Sequence, residues 1–226
     1  MKFKINTDPK AVAESSGGAF MSSSGVYDAT INFASIAVSK NGAESVNFNF
    51  DYNGNPVTIY GPYVTSTAGD PLEIGMNLIN KLGVIAGLGD GDELDVEEET
   101  HKVGKDQKPM DFSVITNFSD LPVKVRVQEE YNINPNNDEI RKSMVIKSFF
   151  REDGASAEEI INETEVGKRL ALEEEKYASN ITFRDGLTPE DVDQWKKDRA
   201  ANAKAGGGAA KSTPKTKAAK GGLFKG

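Results

Sequence analysis

Apolar and polar residues alternate along the chain from Gly25 onward, as they do in strands that bury one face. On the apolar side of the first such stretch lie Tyr27, Ala29, Ile31 and Phe33. The phase then shifts to Ile36 and Val38, which predicts a β-bulge near residues 34–35. An Asn-Gly pair at 41–42 predicts the tight turn that ends this strand's hairpin.

The same alternation predicts two more strands of a meander. The second strand has on one face Val46, Phe48, Phe50 and Tyr52. An Asn-Gly turn at 53–54 leads into a third strand over residues 57–64. Within that strand, alternation puts Tyr60 on the face opposite the apolar residues Val57 and Ile59.

The pattern becomes helical after the third strand. Asp70, Pro71 and Glu73 have the spacing of an N-cap, a first-turn proline and a third-position acid, which together predict a helix start. Apolar residues at helical spacing follow, namely Leu72, Met76, Ile79 and Leu82. After an acidic stretch and a loop at 104–108, the alternation predicts further strands over residues 111–118, 123–128 and 140–150.

Three meandering strands, a helix and at least two more strands follow the order of the OB-fold. We therefore predict a mainly β protein, with an OB-fold-like antiparallel β-barrel over residues 25–152 and a helix between its third and fourth strands. A lipocalin-like or SH3-like barrel would give similar strands but offers no obvious place for this helix. The small, polar residues 1–24 are predicted to form an N-terminal arm.

The remainder of the chain is predicted to be a C-terminal helical extension over residues 153–203. A capping box at 156–159 and a second cap sequence at 188–191 each indicate the start of a helix. Residues 204–226 consist mainly of Gly, Ala, Lys, Thr and Pro, which bury too little apolar surface to fold. We predict a disordered basic tail there.

The charge of the chain is divided unequally. The formal net charge is −8, yet residues 204–226 contain six lysines and no acidic residue. Removing that +6 leaves −14 on residues 1–203. An acidic body does not favour a polyanionic partner, so a nucleic-acid site on it has to be a local basic or aromatic groove.

The composition excludes several kinds of catalytic site. The chain has no cysteine and one histidine, His101, which excludes disulfides, thiolate zinc sites, cysteine nucleophiles and histidine triads. The glycines at 87–91 lack the Lys-Ser/Thr of a phosphate loop, and the acids at 90–95 do not match a calcium loop. We predict a non-enzymatic protein without a metal or cofactor. With neither a signal peptide nor a long apolar stretch, it is expected to be soluble and intracellular, away from membranes.

Several segments resemble the bacteriophage single-stranded DNA-binding proteins, notably those of podoviruses. The likeness lies in GVYDATI at 25–31, SKNGAESVNFNF at 39–50, and residues 123–150 followed by DGASAEEI at 153–160. It implies an OB-fold that sequesters single strands during phage DNA replication and recombination, in the host cytoplasm at replication sites. Proteins of that family usually end in an acidic tail with a terminal aromatic residue that recruits replication partners, whereas this tail is basic.

Aromatic rings that stack on bases and cations that contact phosphates are the groups expected in such a site. The candidates on the strands are Tyr52, Tyr60, Tyr63, Lys124, Arg126, Arg141, Lys142 and Lys147. Alternatively, the tyrosines are core-edge residues and the cations a solvated face. In the tail, the candidates for contact with DNA or with phage or host replication or transcription proteins are Lys211, Lys215, Lys217, Lys220 and Phe224. Alternatively, the tail is a solvating segment that lies loosely on the acidic body.

The sequence therefore predicts sequence-independent binding and protection of single-stranded DNA. The alternative is a non-enzymatic phage structural or inhibitor protein that uses the barrel as a protein-docking surface.

Overall fold

The computed structural model describes residues 20–104 and 106–204, which form a strand-rich antiparallel sheet with helices. The strands are β1 (Gly25–Val38), β2 (Glu44–Tyr52), β3 (Asn55–Ile59), β4 (Val96–Val103), β5 (Lys108–Ile115), β6 (Leu121–Ile133), β7 (Ile140–Arg151) and β8 (Ile181–Phe183). The α-helices are α1 (Glu73–Ile85), α2 (Ala157–Ile161), α3 (Lys168–Lys176) and α4 (Pro189–Lys204). A short 3₁₀ helix at Thr116–Phe118 follows β5.

Contacts within the chain define two compact units. Of the described residues, the first unit contains 20–104, 106–129 and 144–181, and the second contains 130–143 and 182–204. Strands β6 and β7 run from the first unit into the second. The domain boundaries expected from the sequence stay a prediction.

Strand β1 is the centre of the sheet because it pairs on both sides. Its second half pairs with β2, its first half pairs with β6, and a short stretch at 34–36 pairs with β5. β2 continues to β3, β5 to β4, and β6 to β7 and β8. The register between β1 and β2 shifts between Ile31 and Phe33, so the bulge is confirmed but lies slightly earlier than the predicted residues 34–35.

The predicted closure of this sheet into a barrel is wrong. Among the described residues, β3 pairs only with β2, β4 only with β5, and β7 only with β6, so the sheet stays open. The prediction of the antiparallel strands with a helix after the third one is confirmed. Alternation along one strand shows which face is buried, but it carries no information about which sheet edges meet.

The core of the first unit lies between the sheet and α1. Phe48 on β2 packs against Phe149 on β7, with ring centroids 5.2 Å apart. Helix α1 buries on this core Leu78, Ile79, Leu82 and Ile85. Two expectations for this helix are wrong, namely that Asp70 is its N-cap and that Leu72, the first of the apolar residues at helical spacing, is buried. Its N-cap is Leu72, which makes no side-chain capping bond, and not Asp70. Leu72 is also 37% exposed, because it lies before the first turn.

Strand β4 was missed, because its glutamates at 97–99 indicated a solvated acidic stretch. Carboxylates are disfavoured in strands in general but are tolerated at the edge of a sheet, where β4 lies. The helices of the extension were predicted correctly, since Ser156 and Glu159 form the capping box of α2 and α4 begins at Pro189. None of the helices in the described ranges is long and apolar enough to cross a bilayer.

Candidate nucleic-acid interface

The segment between β3 and α1 is held on both sides by backbone hydrogen bonds. Val46 of β2 donates its N–H to the carbonyl of Pro62 at 3.1 Å, and Val64 donates to the carbonyl of Glu44 at 2.8 Å. On the other side, the N–H of Leu72 donates to the carbonyl of Val64 at 2.8 Å. The segment is therefore fixed between the edge of the sheet and the start of α1.

Two glycines allow this close approach. A Cβ atom at Gly61 would lie 1.6 Å from the carbonyl oxygen of Val46, and one at Gly75 would lie 1.9 Å from the carbonyl oxygen of Tyr63. Neither position has room for any side chain, because the neighbouring atoms belong to the backbone. The short distance between backbones makes the segment a rigid support.

Two tyrosine rings project into solvent from this support. Tyr60 is 77% exposed and Tyr63 is 56% exposed, whereas the preceding residue Ile59 is buried. The exposure that alternation predicted for Tyr60 is therefore confirmed, but the predicted strand over residues 57–64 is wrong in its bounds, because β3 ends at Ile59. Tyrosine rings usually bury most of their apolar surface, so two exposed rings within four residues are a candidate binding surface.

A shallow cleft adjoins the ring of Tyr63. Besides Tyr63, its lining residues are Ser39, Asn41, Ala43, Thr65, Ser66, Thr67 and Leu72. Lys40 lies in the turn that contributes to this lining, is exposed, and forms no ion pair with any residue the structure describes. The cleft thus combines hydroxyl and amide groups with an aromatic ring, and Lys40 lies in sequence between two of its lining residues. The sequence did not indicate it, because turn 39–43 and segment 60–65 meet only through tertiary pairing.

Tyr52 lies in a different environment from the two exposed tyrosines. It shares the core-facing side of β2 with Phe48 and Phe50, as alternation predicted, and packs against the core. Its ring meets the ring of Tyr27 edge to face, with centroids 5.2 Å apart. This ring is largely occupied by packing within the protein.

The predicted cations on β6 form ion pairs within the protein. Lys124 pairs with Asp28 on the neighbouring strand β1. Arg126 is buried and lies 2.5 Å from Glu173 of α3, whose side chain is 2% exposed. Burial lowers the pKa of Arg126 from its ordinary value, and the charge of Glu173 opposes that change. The alternation of β6 predicted that Arg126 lies on a solvated face. In the structure, Glu173 of helix α3 covers that face at Arg126.

The remaining predicted cations lie on β7. Arg141 and Lys142 are exposed and belong to the second unit, where Arg141 contacts the side-chain amide of Asn132. Lys147 belongs to the first unit and is half-buried beside Lys81. The structure thus distributes the eight predicted strand residues over several environments, and of these residues Tyr60 and Tyr63 are the two exposed rings of one short backbone segment. The five tail candidates at 211, 215, 217, 220 and 224 lie outside the described residues.

Comparison with known proteins gives no family assignment. Neither a protein-family model nor a curated protein sequence matches this chain. Within residues 20–104 and 106–204, no group of three or more His, Asp or Glu side chains is arranged to hold a metal ion.

Proposed function

We propose that this protein binds single-stranded DNA without sequence preference and protects it during phage DNA replication and recombination. The observation that carries the proposal is the pair of exposed rings, Tyr60 and Tyr63, on a backbone segment fixed between β2 and α1. A base that stacks on an aromatic side chain contributes about 1–3 kcal/mol, whatever its identity, because every base has a π-face. A rigid support strengthens such binding, since little conformational freedom is lost when the base arrives.

The strand order supports an OB-like arrangement of the open sheet. Strands β1, β2 and β3 form the meander, α1 follows, and β6 then pairs with the first half of β1. On this interpretation the β4–β5 hairpin is an insertion between α1 and the fourth strand of the fold. OB-folds commonly bind oligonucleotides on their exposed strand face. The resemblance to phage single-stranded DNA-binding proteins points in the same direction.

We expect repulsion by the acidic residues of the chain to weaken the binding of duplex DNA more than the binding of single strands. Long-range repulsion acts on both, but a single strand has a lower charge density and presents unpaired bases for stacking. Lys40, an exposed residue in the turn between the lining residues Ser39 and Asn41, is our candidate for the local positive charge that meets a phosphate next to the stacked base. We expect binding to be insensitive to base sequence, since the rings contact the faces of bases rather than their edges.

The test replaces the exposed rings and a packed ring separately. Tyr60→Ala and Tyr63→Ala should each weaken binding of fluorescent oligo-dT by about 5- to 150-fold, the equivalent of 1–3 kcal/mol, without lowering Tm. Tyr60→Phe should bind normally, because stacking needs the ring and not the hydroxyl. The matched control Tyr52→Ala should lower Tm and leave the affinity unchanged. Normal binding by the Tyr60→Ala, Tyr63→Ala double variant, or tighter binding of a duplex of equal length, would contradict the proposal.

One observation favours the second candidate, a protein-docking role for the same region. Ile74, in the first turn of α1, is 87% exposed, and Leu72 lies beside Tyr63 on the cleft. Exposed apolar and aromatic side chains grouped in this way are typical of protein interfaces. A native gel with oligo-dT separates the two candidates, because a docking protein leaves the probe unshifted.

A further inference from the structure

Most arginines and several lysines of the described chain have their charge neutralised by an acidic neighbour. The ion pairs are Lys81–Glu158, Lys124–Asp28, Arg126–Glu173, Arg151–Asp153, Lys168–Glu165, Arg169–Glu173 and Arg184–Glu130. A cation engaged in this way offers little attraction to an external phosphate. An anionic ligand is therefore expected to bind where exposed cations are grouped and form no ion pair with an acidic side chain.

The C-terminal half of α4 has this property. Lys196, Lys197 and Arg199 are all exposed, and within the described residues none of them forms an ion pair. The single carboxylate among them, Asp198, accepts a hydrogen bond from Gln194 at 2.8 Å. Three cations thus lie within one turn of an exposed helix surface.

Aromatic rings of the second unit hold two of these cations in place. The guanidinium of Arg199 lies 4.9 Å from the ring centroid of Trp195, and the ammonium of Lys196 lies 5.2 Å from that of Tyr131. The rings of Trp195 and Tyr131 in turn meet edge to face at 6.0 Å. A guanidinium held over a ring keeps N–H donors at its edge, where a phosphate oxygen accepts hydrogen bonds. The side chains are ordered before the ligand arrives, which lowers the entropic cost of binding.

The sequence after α4 continues the same charge. Residues 196–226 contain nine lysines and arginines against the single acid Asp198, which gives them +8 and leaves −16 on residues 1–195. The net charge along the chain therefore changes from negative to positive at Lys196, inside α4, and not at the start of the tail at residue 204.

We propose that the C-terminal half of α4 binds the phosphate backbone of single-stranded DNA, as a second contact in addition to Tyr60 and Tyr63. The inference rests on the proposed function, and it assigns stacking to the first unit and phosphate binding to the second. Phosphate is the expected ligand because guanidinium and ammonium groups recognise its charge and oxygens, whereas nothing in the surface selects a base.

The test is the salt dependence of oligo-dT binding by the full-length protein. In the triple variant K196Q/K197Q/R199Q, the log–log slope of affinity against salt should flatten by roughly 2, at about 0.7 for each phosphate that the protein no longer neutralises. By the same relation, affinity should fall by about a hundredfold at 0.1 M salt and converge with the wild type near 1 M. The matched control K102Q/K108Q removes two exposed cations of the β4–β5 hairpin and should leave the slope unchanged.

Lys196 lies over the buried ring of Tyr131, so the triple variant could lose stability. Lys197→Gln alone, which contacts neither ring, should still flatten the slope by about 0.7. An unchanged slope in a folded triple variant would overturn the inference. A second result would overturn the inference in favour of an acidic protein partner. In that case the wild type binds polyglutamate of matched charge as tightly as it binds oligo-dT, and the triple variant loses that binding.

The two sets of variants distinguish an error in the proposed function from an error in the α4 inference. If the Tyr60→Ala, Tyr63→Ala double variant binds normally while the α4 variant has a flattened slope, stacking by the tyrosines is wrong and phosphate binding by α4 stands. If the tyrosine variants bind weakly while the α4 variants match the wild type, the function stands and the α4 surface is overturned.

Discussion

Gly61 separates Tyr60 from Pro62 at the point where the backbone comes closest to β2. Its hydrogen atoms occupy a gap that a methyl group would fill, since that group would lie 1.6 Å from the carbonyl oxygen of Val46. The direction of the exposed tyrosines therefore depends on a residue that makes no side-chain contact of its own.

Gly61→Ala should lower both stability and binding. Either β2 or the segment after β3 has to move, and overpacking of this kind costs about 1–3 kcal/mol. We expect a lower Tm and weaker oligo-dT binding, although both tyrosines remain. The matched control is Gly89→Ala, where a Cβ would meet only the Asp92 carboxylate at 3.6 Å. A Gly61→Ala protein as stable and as active as this control would show that the segment is not fixed by close approach.

For single residues, the sequence predicted exposure or burial where it depends on local alternation. It did not predict burial that depends on residues distant in the sequence. The exposure of Tyr60 agrees with the strand period, because Ile59 beside it belongs to the core, although β3 itself ends at Ile59. The burial of Arg126 could not be predicted in the same way. Glu173, which covers it, lies on a helix more than forty residues later, and nothing in the β6 pattern indicates that helix.

Helices α2 and α3 share one carboxylate, that of Glu159. It accepts hydrogen bonds from the N–H groups of Ser156 at 2.8 Å and Arg169 at 2.8 Å, and from Gly167 at 3.3 Å. Burial raises the pKa of Glu159, but these backbone bonds and one from the Ser156 hydroxyl outweigh it, so the pKa lies below its ordinary value. One side chain thus satisfies N–H groups at the start of both helices.

This arrangement makes part of the stability dependent on pH. Because the pKa of Glu159 is lower in the folded protein, its contribution is complete above the unfolded-state value of about 4.3 and is lost as pH falls through the folded-state pKa. Glu159→Gln should cost roughly 1–3 kcal/mol at pH 7, the usual range for a hydrogen-bonded charge. Urea unfolding at pH 7 and pH 3 measures this, and the difference between variant and wild type should shrink at the lower pH. A difference that stays constant would show that the charge of Glu159 makes no contribution.

The elements themselves were predictable where a local signal marks their ends. The starts of α2 and α4 follow from capping sequences, which need only neighbouring residues. Strand β4 has no such signal, because its strand conformation is stabilised by pairing with β5 in spite of three consecutive glutamates. The closure of the sheet failed as a prediction for a related reason, since edge pairing is decided by the assembled core and not by any one strand.

If the proposed function is right, the charge distribution of the whole molecule predicts a measurable contribution of the tail to DNA binding. Deleting residues 205–226 removes five lysines, lowers the net charge from −8 to −13 and leaves the cations of α4 in place. If about three of those lysines contact phosphates, the log–log salt slope should flatten by roughly 2. A preference for single strands over duplex should survive the deletion, because on the proposed function it depends on stacking of bases on Tyr60 and Tyr63.

An increase in affinity on deletion of the tail would also be informative. Tighter oligo-dT binding by the truncated protein would show that the lysines neutralise the acidic body and compete with DNA for it. Titrations of both proteins at two salt concentrations separate attraction from masking.

The two-sided pairing of β1 has a consequence for biosynthesis. Its second half pairs with β2 a few residues later, but its first half pairs with β6, and Asp28 meets Lys124 across a sequence separation of 96 residues. At a translation rate of about 5–20 residues per second, the nascent meander waits on the order of ten seconds for that partner. Phe48 cannot pack against Phe149 during this interval, because Phe149 on β7 is synthesised after β6. We therefore expect folding of the first unit on the ribosome to wait for the synthesis of β6 and β7, and a chaperone that binds nascent chains would act between the synthesis of β3 and that of β6.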